Sequence, residues 1–584
     1  MKKTIMIQLF LLICIILSYD IENNIYFIYD NEYNPISGDS SNSIEKIDQI
    51  GTQLTFEIAY NFDPVKTIQE LEKKHGKISD ITVDEHLNRF NKIYYDFIQS
   101  KKFELLRKSN LNFTENSMRS ELPQLVIISD KIIQNSNQLD YEHKLLAKHP
   151  LVDRLIVSPL YSRPPIQIED PGGGGVPSDP YDIYYIKQTV NDSLLYSGTG
   201  IKIGVLEAAW GNEYSIVDPS IQNFNFGDVI QDPNLTVSNY NFHATTVAGI
   251  SSGHNGIAKN SLVYSTSFKQ SGLNPYNITQ ALNWLNKNSS FINDNINVDI
   301  INMSFSSPTE IDILRNIGYL NRKIMIAGSG NKHLVPIEYP AAYANVFTVG
   351  ATTPSGDELW NNNNDDGIGS AYINNSNLIN KPNIVAPGMI NLRNFPSGID
   401  FVQGTSFSTP IVTGAIAKLI ESRPVLKMFP ELVYALLMTT SNQNIISNID
   451  QQYTMNVGNK TGSGMLDISK LINNRLNTHT FNSDNFTNGK YIFNLYIDNP
   501  TNQSLHFNIA AFWLEKYENN NYKLSNYDLR VNIDENVIIS NSTTNNFEYV
   551  KTVTNHNGEI TVIIDSTYFS GVNTDLIGLA WSFY

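Results

Sequence analysis

Residues 404–410 read Gly-Thr-Ser-Phe-Ser-Thr-Pro, and the apolar run Ile411–Ile420 follows directly. The pattern predicts a buried helix with Ser406 just before its start. A serine in that place has an exposed hydroxyl and backbone N–H groups nearby, which suits a nucleophile whose reaction develops an oxyanion. Pro410 fits the first turn of such a helix, because its missing N–H would have no partner there. Alone, the segment is more typical of an ordinary helix capped by Ser or Thr.

Two further segments carry groups that a serine nucleophile needs. His243 opens a stretch of small residues with helical character, after a polar loop. A lone histidine is more often structural or on the surface. Glu207 ends the buried apolar strand Lys202–Glu207, where a carboxylate needs a partner. A carboxylate that binds one imidazole nitrogen sets the tautomer for base chemistry, so we expect Glu207 and His243 to pair.

Together these segments resemble the subtilisin-like (subtilase) family of serine proteases. Glu207, His243 and Ser406 follow the family's order of acid, histidine and serine, and residues 404–410 match its Gly-Thr-Ser-x-Ala-Thr-Pro signature except at Ser408. Shorter segments also match in order within residues 183–474: Ile301–Ser304, Ala327–Asn331, Tyr339–Tyr343, Val349–Ala351, Asn383–Gly388 and Gly462–Asp467.

The resemblance implies a role for each matching residue in the hydrolysis of peptide bonds. Ser406 attacks the carbonyl, His243 takes its proton, and Glu207 orients the imidazole. The Asn331 side-chain amide and the Ser406 backbone N–H then donate to the oxyanion. The protein or peptide substrate pairs as an added strand with three consecutive residues, Ser304, Phe305 and Ser306.

Glu338 is a candidate determinant of specificity. In the family, the residue before the Tyr-Pro pair, here Tyr339-Pro340, lies at the bottom of the pocket for the side chain preceding the cut. A carboxylate there attracts Lys or Arg. Lys332 is expected near the pocket rim, where it would neutralise Glu338, and a Glu338 that faces solvent is the alternative.

The chain departs from the family pattern at several positions. The family usually has Asp where this chain has Glu207, and Asp218 is a weaker alternative for the acid. The family's His-Gly-Thr-His reads His-Ala-Thr-Thr here, so a second, structural histidine is absent. Ser306-Ser307 replaces a pair that is often Gly-Gly, which narrows the expected substrate cleft.

The architecture follows from the spacing of apolar residues. Between residues 183 and 474, short apolar strands alternate with helical stretches: Lys202–Glu207, Leu262–Ser265, Asp299–Ser304, Lys323–Ala327 and Val346–Val349. This alternation predicts an α/β domain, a parallel sheet with helices on both faces, as in subtilisin-like proteins. Residues 478–584 carry short alternating strands between Asn- and Gly-rich turns, which predict a C-terminal β-sandwich.

Residues 53–163 have a mixed α/β pattern, with strands predicted over Leu54–Tyr60, Gln124–Ser129 and Leu151–Val157 and a helix over Glu85–Lys108. The helix would place one face inward: Leu87, Phe90, Ile93, Tyr94, Phe97 and Ile98. A linker at 164–182 follows, because four glycines lie between Pro171 and Pro177. The resemblance implies that residues 53–163 are the propeptide, which inhibits the enzyme until it is cut off.

The first twenty residues predict export. Lys2 and Lys3 precede the apolar run Ile5–Leu17, which has the length of a signal peptide's apolar region and is short for a membrane span. No clear cleavage site follows, so an uncleaved surface anchor is the alternative. Residues 21–52 read as a polar spacer. We therefore expect a secreted or cell-surface protein whose one contact with a membrane is this N-terminal segment.

Composition limits the partners and the cross-links that this chain can have. The 584-residue chain has 41 basic and 57 acidic residues and a net charge of −16, which argues against a nucleic-acid partner. Its one cysteine, Cys14, lies in the N-terminal apolar run, so the remainder can form no internal disulfide. We expect no cofactor and assign no metal site, although many subtilases bind calcium.

Three readings of function remain. The first is an exported endopeptidase. The second is a catalytically weak subtilase fold that serves as a surface binding protein. This reading stays open because Glu207 occupies the position where the family usually has Asp. The third is a protease dedicated to processing one peptide.

Overall fold

The computed structural model describes the chain in segments. Residues 1–20, 21–52 and 164–182 lie outside them, so the signal, spacer and linker stay predictions. Within the described part, no helix is long and apolar enough to cross a membrane. The described residues are 54–59, 62–108, 124–128, 154–159, 183–192, 195–209, 213–220, 228–235, 240–269, 277–287, 296–308, 310–361, 367–372, 379–391, 401–442, 460–518, 521–570 and 574–584.

The N-terminal part combines a small antiparallel sheet with two helices. Its elements are β1 (Leu54–Ala59), α1 (Pro64–His75), α2 (Val83–Lys108), β2 (Gln124–Ile128) and β3 (Arg154–Pro159). Strand β1 lies between β2 and β3. Helix α1 was not predicted, although its start has clear signals: the Asp63 side chain accepts from the Lys66 N–H, and Pro64 is the first residue.

One prediction about α2 is wrong. Ile93 was expected on the inward face, but it is 42% exposed, whereas Phe90, Tyr94 and Ile98 are buried. At 100° per residue, Ile93 lies at the edge of the apolar stripe, on the side away from Ile98. The buried face of α2 is therefore narrower than the stripe of apolar residue types predicts.

The central part contains the predicted parallel sheet. Its elements are α3 (Ile183–Thr189), β4 (Lys202–Ala208), β5 (Val229–Gln231), α4 (Phe242–Ser252), β6 (Leu262–Phe268), α5 (Ile278–Leu285), β7 (Ile300–Met303), α6 (Asp312–Leu320), β8 (Ile324–Gly328), β9 (Phe347–Thr352), β10 (Ile384–Pro387), β11 (Met389–Asn391), β12 (Phe401–Gln403), α7 (Thr405–Ser422), a 3-10 segment (Pro424–Met428), α8 (Pro430–Thr440) and α9 (Ile468–Asn473).

Seven of these strands form the sheet, in the order β10-β9-β8-β7-β4-β6-β5, and every pairing between neighbours is parallel. Apolar side chains on both faces are buried, so the predicted fold class is confirmed. Parallel strands place their carboxyl ends at one edge, and the loops after β4, β7 and β8 therefore lie together. Strands β5 and β10 are additions to the predicted set.

Helix α7 begins earlier than predicted. It starts at Thr405 instead of Ile411, so Pro410 lies inside the helix and the expectation that it belongs to the first turn is wrong. Pro410 has no N–H for the carbonyl of Ser406 four residues before it. The helix is almost entirely buried and packs against the sheet and α4, so tertiary packing stabilises it despite the missing bond.

The C-terminal part is a β-sandwich, as predicted. Its strands are β13 (Thr478–Asn482), β14 (Lys490–Ile497), β15 (Leu505–Trp513), β16 (Lys516–Glu518), β17 (Asn521–Lys523), β18 (Asn526–Ile533), β19 (Asn536–Ser540), β20 (Phe547–Thr554), β21 (Gly558–Tyr568) and β22 (Leu576–Phe583). One sheet has the order β13-β22-β15-β20 and the other β14-β21-β18-β19, while β16 and β17 form a hairpin. The two sheets enclose an apolar layer, to which β15, β18 and β21 contribute alternate residues.

The sandwich packs tightly on helix α8 of the central part. The ring of Tyr434 meets that of Phe512 edge to face at 5.1 Å. Arg315 of α6 makes a bidentate ion pair with Glu515 of the sandwich, with N–O distances of 2.6 and 2.8 Å. Gly578 in β22 lies so close to α8 that a Cβ atom would sit 2.6 Å from a backbone carbon of Glu431. The two parts therefore share a core.

We predict that Gly578→Ala lowers the midpoint of thermal unfolding by several degrees, because the added methyl forces β22 away from α8 and overpacking typically costs about 1–3 kcal/mol. Differential scanning fluorimetry measures the shift. Val553→Thr, on an exposed strand position, is the control and should leave the midpoint unchanged. An unchanged midpoint for Gly578→Ala would contradict the close packing.

Candidate active site

The carboxyl edge of the sheet brings together five of the predicted residues. Glu207 lies near the end of β4, Ser304 directly follows β7, and Asn331 follows β8. Ser406 is the second residue of α7, which packs against the sheet at this edge. His243, the second residue of α4, reaches the same edge because α4 packs against α7.

Glu207 and His243 form a buried pair. The Oε2 atom of Glu207 lies 3.2 Å from Nδ1 of His243, and both side chains are less than a tenth exposed. Glu207 Oε1 is buried and has no hydrogen-bond partner within the described residues. The contact leaves Nε2 as the ring nitrogen that is available to another group.

Asp218, the alternative acid, is engaged elsewhere. Its Oδ1 atom accepts from the backbone N–H of Ser220 at 2.9 Å and from the Ser220 hydroxyl at 2.6 Å. Its own backbone N–H donates to the hydroxyl of Thr245. The geometry therefore pairs His243 with Glu207 and not with Asp218.

Local interactions hold the imidazole in place. The Asn241 side chain caps α4 by accepting from the backbone N–H of Ala244 at 3.2 Å, which fixes the turn that carries His243. The Phe407 ring lies 5.5 Å from the imidazole, between centroids. One side of the ring is thus covered by the residue that follows Ser406.

Ser406 and Ser304 exchange two hydrogen bonds. The Ser406 hydroxyl donates to the carbonyl of Ser304 at 3.2 Å, and the Ser304 hydroxyl donates to the carbonyl of Ser406 at 2.9 Å. Because Pro410 offers no N–H to the Ser406 carbonyl, the Ser304 hydroxyl supplies a hydrogen bond that the helix lacks at this carbonyl. Within the described residues, the Ser406 hydroxyl makes no hydrogen bond to His243.

A buried polar chain behind Ser304 was missed in the sequence. The Thr413 hydroxyl donates to Oδ1 of Asn302 at 2.8 Å, and Asn302 Nδ2 donates to the Ser304 hydroxyl at 3.0 Å. Thr413 lies seven residues after Ser406, on the same face of α7, and that spacing is the signal that could have found it. The chain ties α7 to the end of β7.

Asn331 is oriented by the residue before Ser406. Its Oδ1 atom accepts from the backbone N–H of Thr405 at 2.9 Å and from the Thr405 hydroxyl at 3.0 Å. These bonds identify the other side-chain atom, Nδ2, as the donor that can act on a ligand. Gly404 has a φ of +137°, and a Cβ there would lie 3.2 Å from the Asn331 amide, so a larger residue would crowd it. Thr405 was not singled out in the sequence.

The predicted substrate residues form an irregular segment after β7. Ser304, Phe305 and Ser306 are largely buried, and the Phe305 ring meets that of Phe268 edge to face at 5.1 Å. The next residue, Ser307, exchanges two backbone hydrogen bonds with Tyr339, at 2.7 and 3.0 Å.

That pairing brings the partly buried Glu338, directly before Tyr339, near the end of the segment. Lys332 is exposed. The structure thus keeps Glu338 beside the segment predicted to hold substrate.

Among the described residues, no group of three or more His, Cys, Asp or Glu side chains could hold a metal ion.

Comparison with known proteins identifies relatives of this chain. The alkaline protease of Alkalihalobacillus alcalophilus is 26% identical over 351 residues, which cover 56% of this chain and 84% of the relative. Alkaline elastase YaB from Bacillus sp. (strain YaB) is 28% identical over 302 residues, covering 49% of this chain and 68% of the relative.

Among solved structures, fervidolysin from Fervidobacterium pennivorans, a keratinolytic enzyme related to subtilisin, is similar with 14% identity and a TM-score of 0.42, covering 87% of this chain and 69% of that one. The model of the Subtilase family, Peptidase_S8, matches residues 139–466. That match spans more than half of the chain and includes Glu207, His243, Asn331 and Ser406. The chain therefore belongs to the subtilase family.

Proposed function

We propose that the protein is an exported serine endopeptidase in which Ser406 attacks the peptide carbonyl and His243 takes its proton. The observation that carries the proposal is the buried contact of 3.2 Å between Glu207 Oε2 and His243 Nδ1. A carboxylate that accepts from Nδ1–H leaves Nε2 unprotonated, which is the form that a general base needs. Glu207 then stabilises the imidazolium that forms.

Substrate binding prepares the nucleophile. The Ser406 hydroxyl donates to the Ser304 carbonyl at 3.2 Å before substrate binds, and it must rotate toward His243 to react. A substrate that pairs as a strand with Ser304, Phe305 and Ser306 brings a peptide N–H to the same carbonyl. The substrate then competes with the hydroxyl for this acceptor and favours its rotation.

Asn331 stabilises the tetrahedral intermediate. Because Oδ1 of Asn331 accepts from Thr405, the amide nitrogen is the side-chain donor that acts on the oxyanion. The backbone N–H of Ser406, in the first turn of α7, is the second donor. Removing one such side-chain donor typically lowers turnover by about 10²–10³.

The proposal includes export and self-processing. Residues 1–20 carry the pattern of an export signal, and residues 53–163 precede the Gly- and Pro-rich stretch 164–182. In the proposal, Ser406 cuts within that stretch and the mature enzyme begins between about Pro164 and Ile186.

A second candidate is a catalytically weak member of the family that binds a partner at the surface. Two observations favour it: the Ser406 hydroxyl is bonded to Ser304, and Glu207 Oε1 has no hydrogen-bond partner within the described residues. A protease dedicated to one peptide is a narrower form of the main proposal, and a proteome-wide cleavage profile separates it from a broad degrader.

The direct test of the proposal is Ser406→Ala. We expect loss of casein cleavage by about 10⁶-fold, because the nucleophile acts as a unit with its base. The variant should also keep an uncut 164–182 stretch, which N-terminal sequencing reveals. A matched control is Ser408→Ala, since the hydroxyl of Ser408 bonds to the carbonyl of Thr405 inside the helix. Wild-type cleavage by Ser406→Ala would refute the mechanism.

We predict that Glu207→Gln keeps the fold but lowers kcat by about 10⁴, because an amide does not stabilise the imidazolium or set the tautomer. Glu207→Asp should retain part or all of the activity. Asp218→Asn is the control and should be close to wild type, since Asp218 bonds to Ser220. The reverse result, an active Glu207→Gln with an inactive Asp218→Asn, would show that the acid is misassigned.

For specificity, we predict that peptides with Arg before the cut are preferred over those with Phe or Leu. Glu338→Gln should lower kcat/KM for the Arg peptide by about 10–100-fold, the usual effect of losing a hydrogen bond to a charge. Glu310→Gln is the control, because the Glu310 carboxylate accepts from the Tyr339 hydroxyl. A preference for Phe or Leu that Glu338→Gln leaves unchanged would exclude this pocket.

A further inference from the structure

The helical pair α1 and α2 docks on the 3-10 segment that follows α7. Oδ1 of Asp80, in the turn between the two helices, accepts from the backbone N–H of Val425 at 3.0 Å. Asp84, at the start of α2, lies 3.3 Å from Nζ of Lys427. Val83, between these two acids in the chain, is 1% exposed. The contact therefore combines polar groups with a buried apolar residue.

This contact lies at the amino edge of the parallel sheet. Nζ of Lys427 is 3.7 Å from Oδ1 of Asp299, the residue before β7. Oδ2 of Asp299 in turn accepts from the backbone N–H of Lys202, the first residue of β4. Glu207 lies five residues further along β4, which corresponds to about 17 Å of extended strand. The docking contact and the catalytic groups are thus at opposite edges of the sheet.

The pair also shares the apolar core of the central part. Its buried side chains belong to one continuous cluster with residues of β4, α6 and α7: Phe62, Val65, Ile68, Leu71, Val83, Phe90, Tyr94 and Ile98. Each of these is at most 5% exposed. Helices with this much buried surface are integral to a fold, because separating them would expose the apolar face to water.

The start of the pair lies against the β-sandwich. The Asp63 carboxylate, which caps α1, accepts from the backbone N–H of Lys66 at 2.9 Å and also from the backbone of Thr574, next to β22. Burial lowers the pKa of His479 in β13, and the positive charge of Lys77, after α1, lowers it further. The pair therefore touches both the central part and the sandwich.

We infer that the 3-10 segment and the adjoining sandwich edge form a permanent docking surface for the chain's own N-terminal helical pair. The pair braces the two parts and stays bound after the chain is cut in residues 164–182, a cut that rests on the proposed function. An inhibitor of the enzyme must cover the carboxyl edge, where Glu207, Asn331 and Ser406 lie. The helical pair docks at the opposite edge and leaves those residues uncovered.

The first test separates docking from peptidase activity. A recognition sequence for a site-specific protease is inserted between Gly173 and Gly174 in the Ser406→Ala chain, so that the protein cannot process itself. After the cut, the N-terminal fragment should co-elute with the remainder in size-exclusion chromatography. Separation of the two fragments under native conditions would overturn the inference.

Matched substitutions test the docking contact. Val83→Asp places a carboxylate at the 1% exposed position, whereas Ile81→Asp makes a comparable change at a position that is 94% exposed. Val83→Asp should release the cut fragment and lower the thermal midpoint by at least about 5 °C, since an unpaired buried charge is strongly destabilising. Ile81→Asp should behave as the parent chain, and equal behaviour of the two variants would contradict the proposed surface.

Activity distinguishes a brace from an inhibitor. In the cut chain with Ser406 intact, release of the fragment by Val83→Asp should leave kcat/KM for a short peptide within about twofold at a temperature where the remainder is folded. A rise of tenfold or more would show that the helical pair blocks the cleft and would overturn the inference. If Ser406 proves inactive, the elution and unfolding experiments still decide whether the pair is a brace.

Discussion

The exchange of hydrogen bonds between Ser304 and Ser406 is the interaction on which the site depends. It joins the first turn of α7 to the residue after β7, and one of its two bonds satisfies the Ser406 carbonyl, to which Pro410 offers no N–H. Thr405 adds the link to Asn331, and the packing of α7 on α4 brings His243 to the same edge. The proposed nucleophile, base and oxyanion donor are therefore positioned by one buried helix.

The β-sandwich and the N-terminal helical pair pack against the elements that follow this helix. Helix α8, which follows α7, packs against the sandwich through Tyr434 and Phe512, and the 3-10 segment between the two helices contacts the N-terminal helical pair. These contacts lie away from the carboxyl edge of the sheet. The chain can therefore gain stability without disulfides in the described residues while the edge that carries the proposed catalytic residues stays free for substrate.

Much of this arrangement could be predicted from the sequence. The parallel sheet follows from apolar strands alternating with helices, and the residues near Ser406 follow from the segments that resemble the subtilase pattern. The sequence pattern did not reveal the Thr413–Asn302 chain, because ordinary polar residues become informative only when folding buries them together. The exposure of Ile93 and the contact of Asp80 with the 3-10 segment could not be predicted either. Helical periodicity identifies the apolar face of a helix but not the surface against which that face packs.

The most direct measurement is labelling with a fluorophosphonate, which reacts with an activated serine and not with ordinary hydroxyls. Mass spectrometry of the digested protein identifies the labelled residue. Our account predicts a single label on Ser406 that disappears in His243→Ala and weakens strongly in Glu207→Gln, while both variants remain folded. A folded wild-type protein that takes no label at Ser406, or a label there that survives His243→Ala undiminished, would contradict the proposed mechanism.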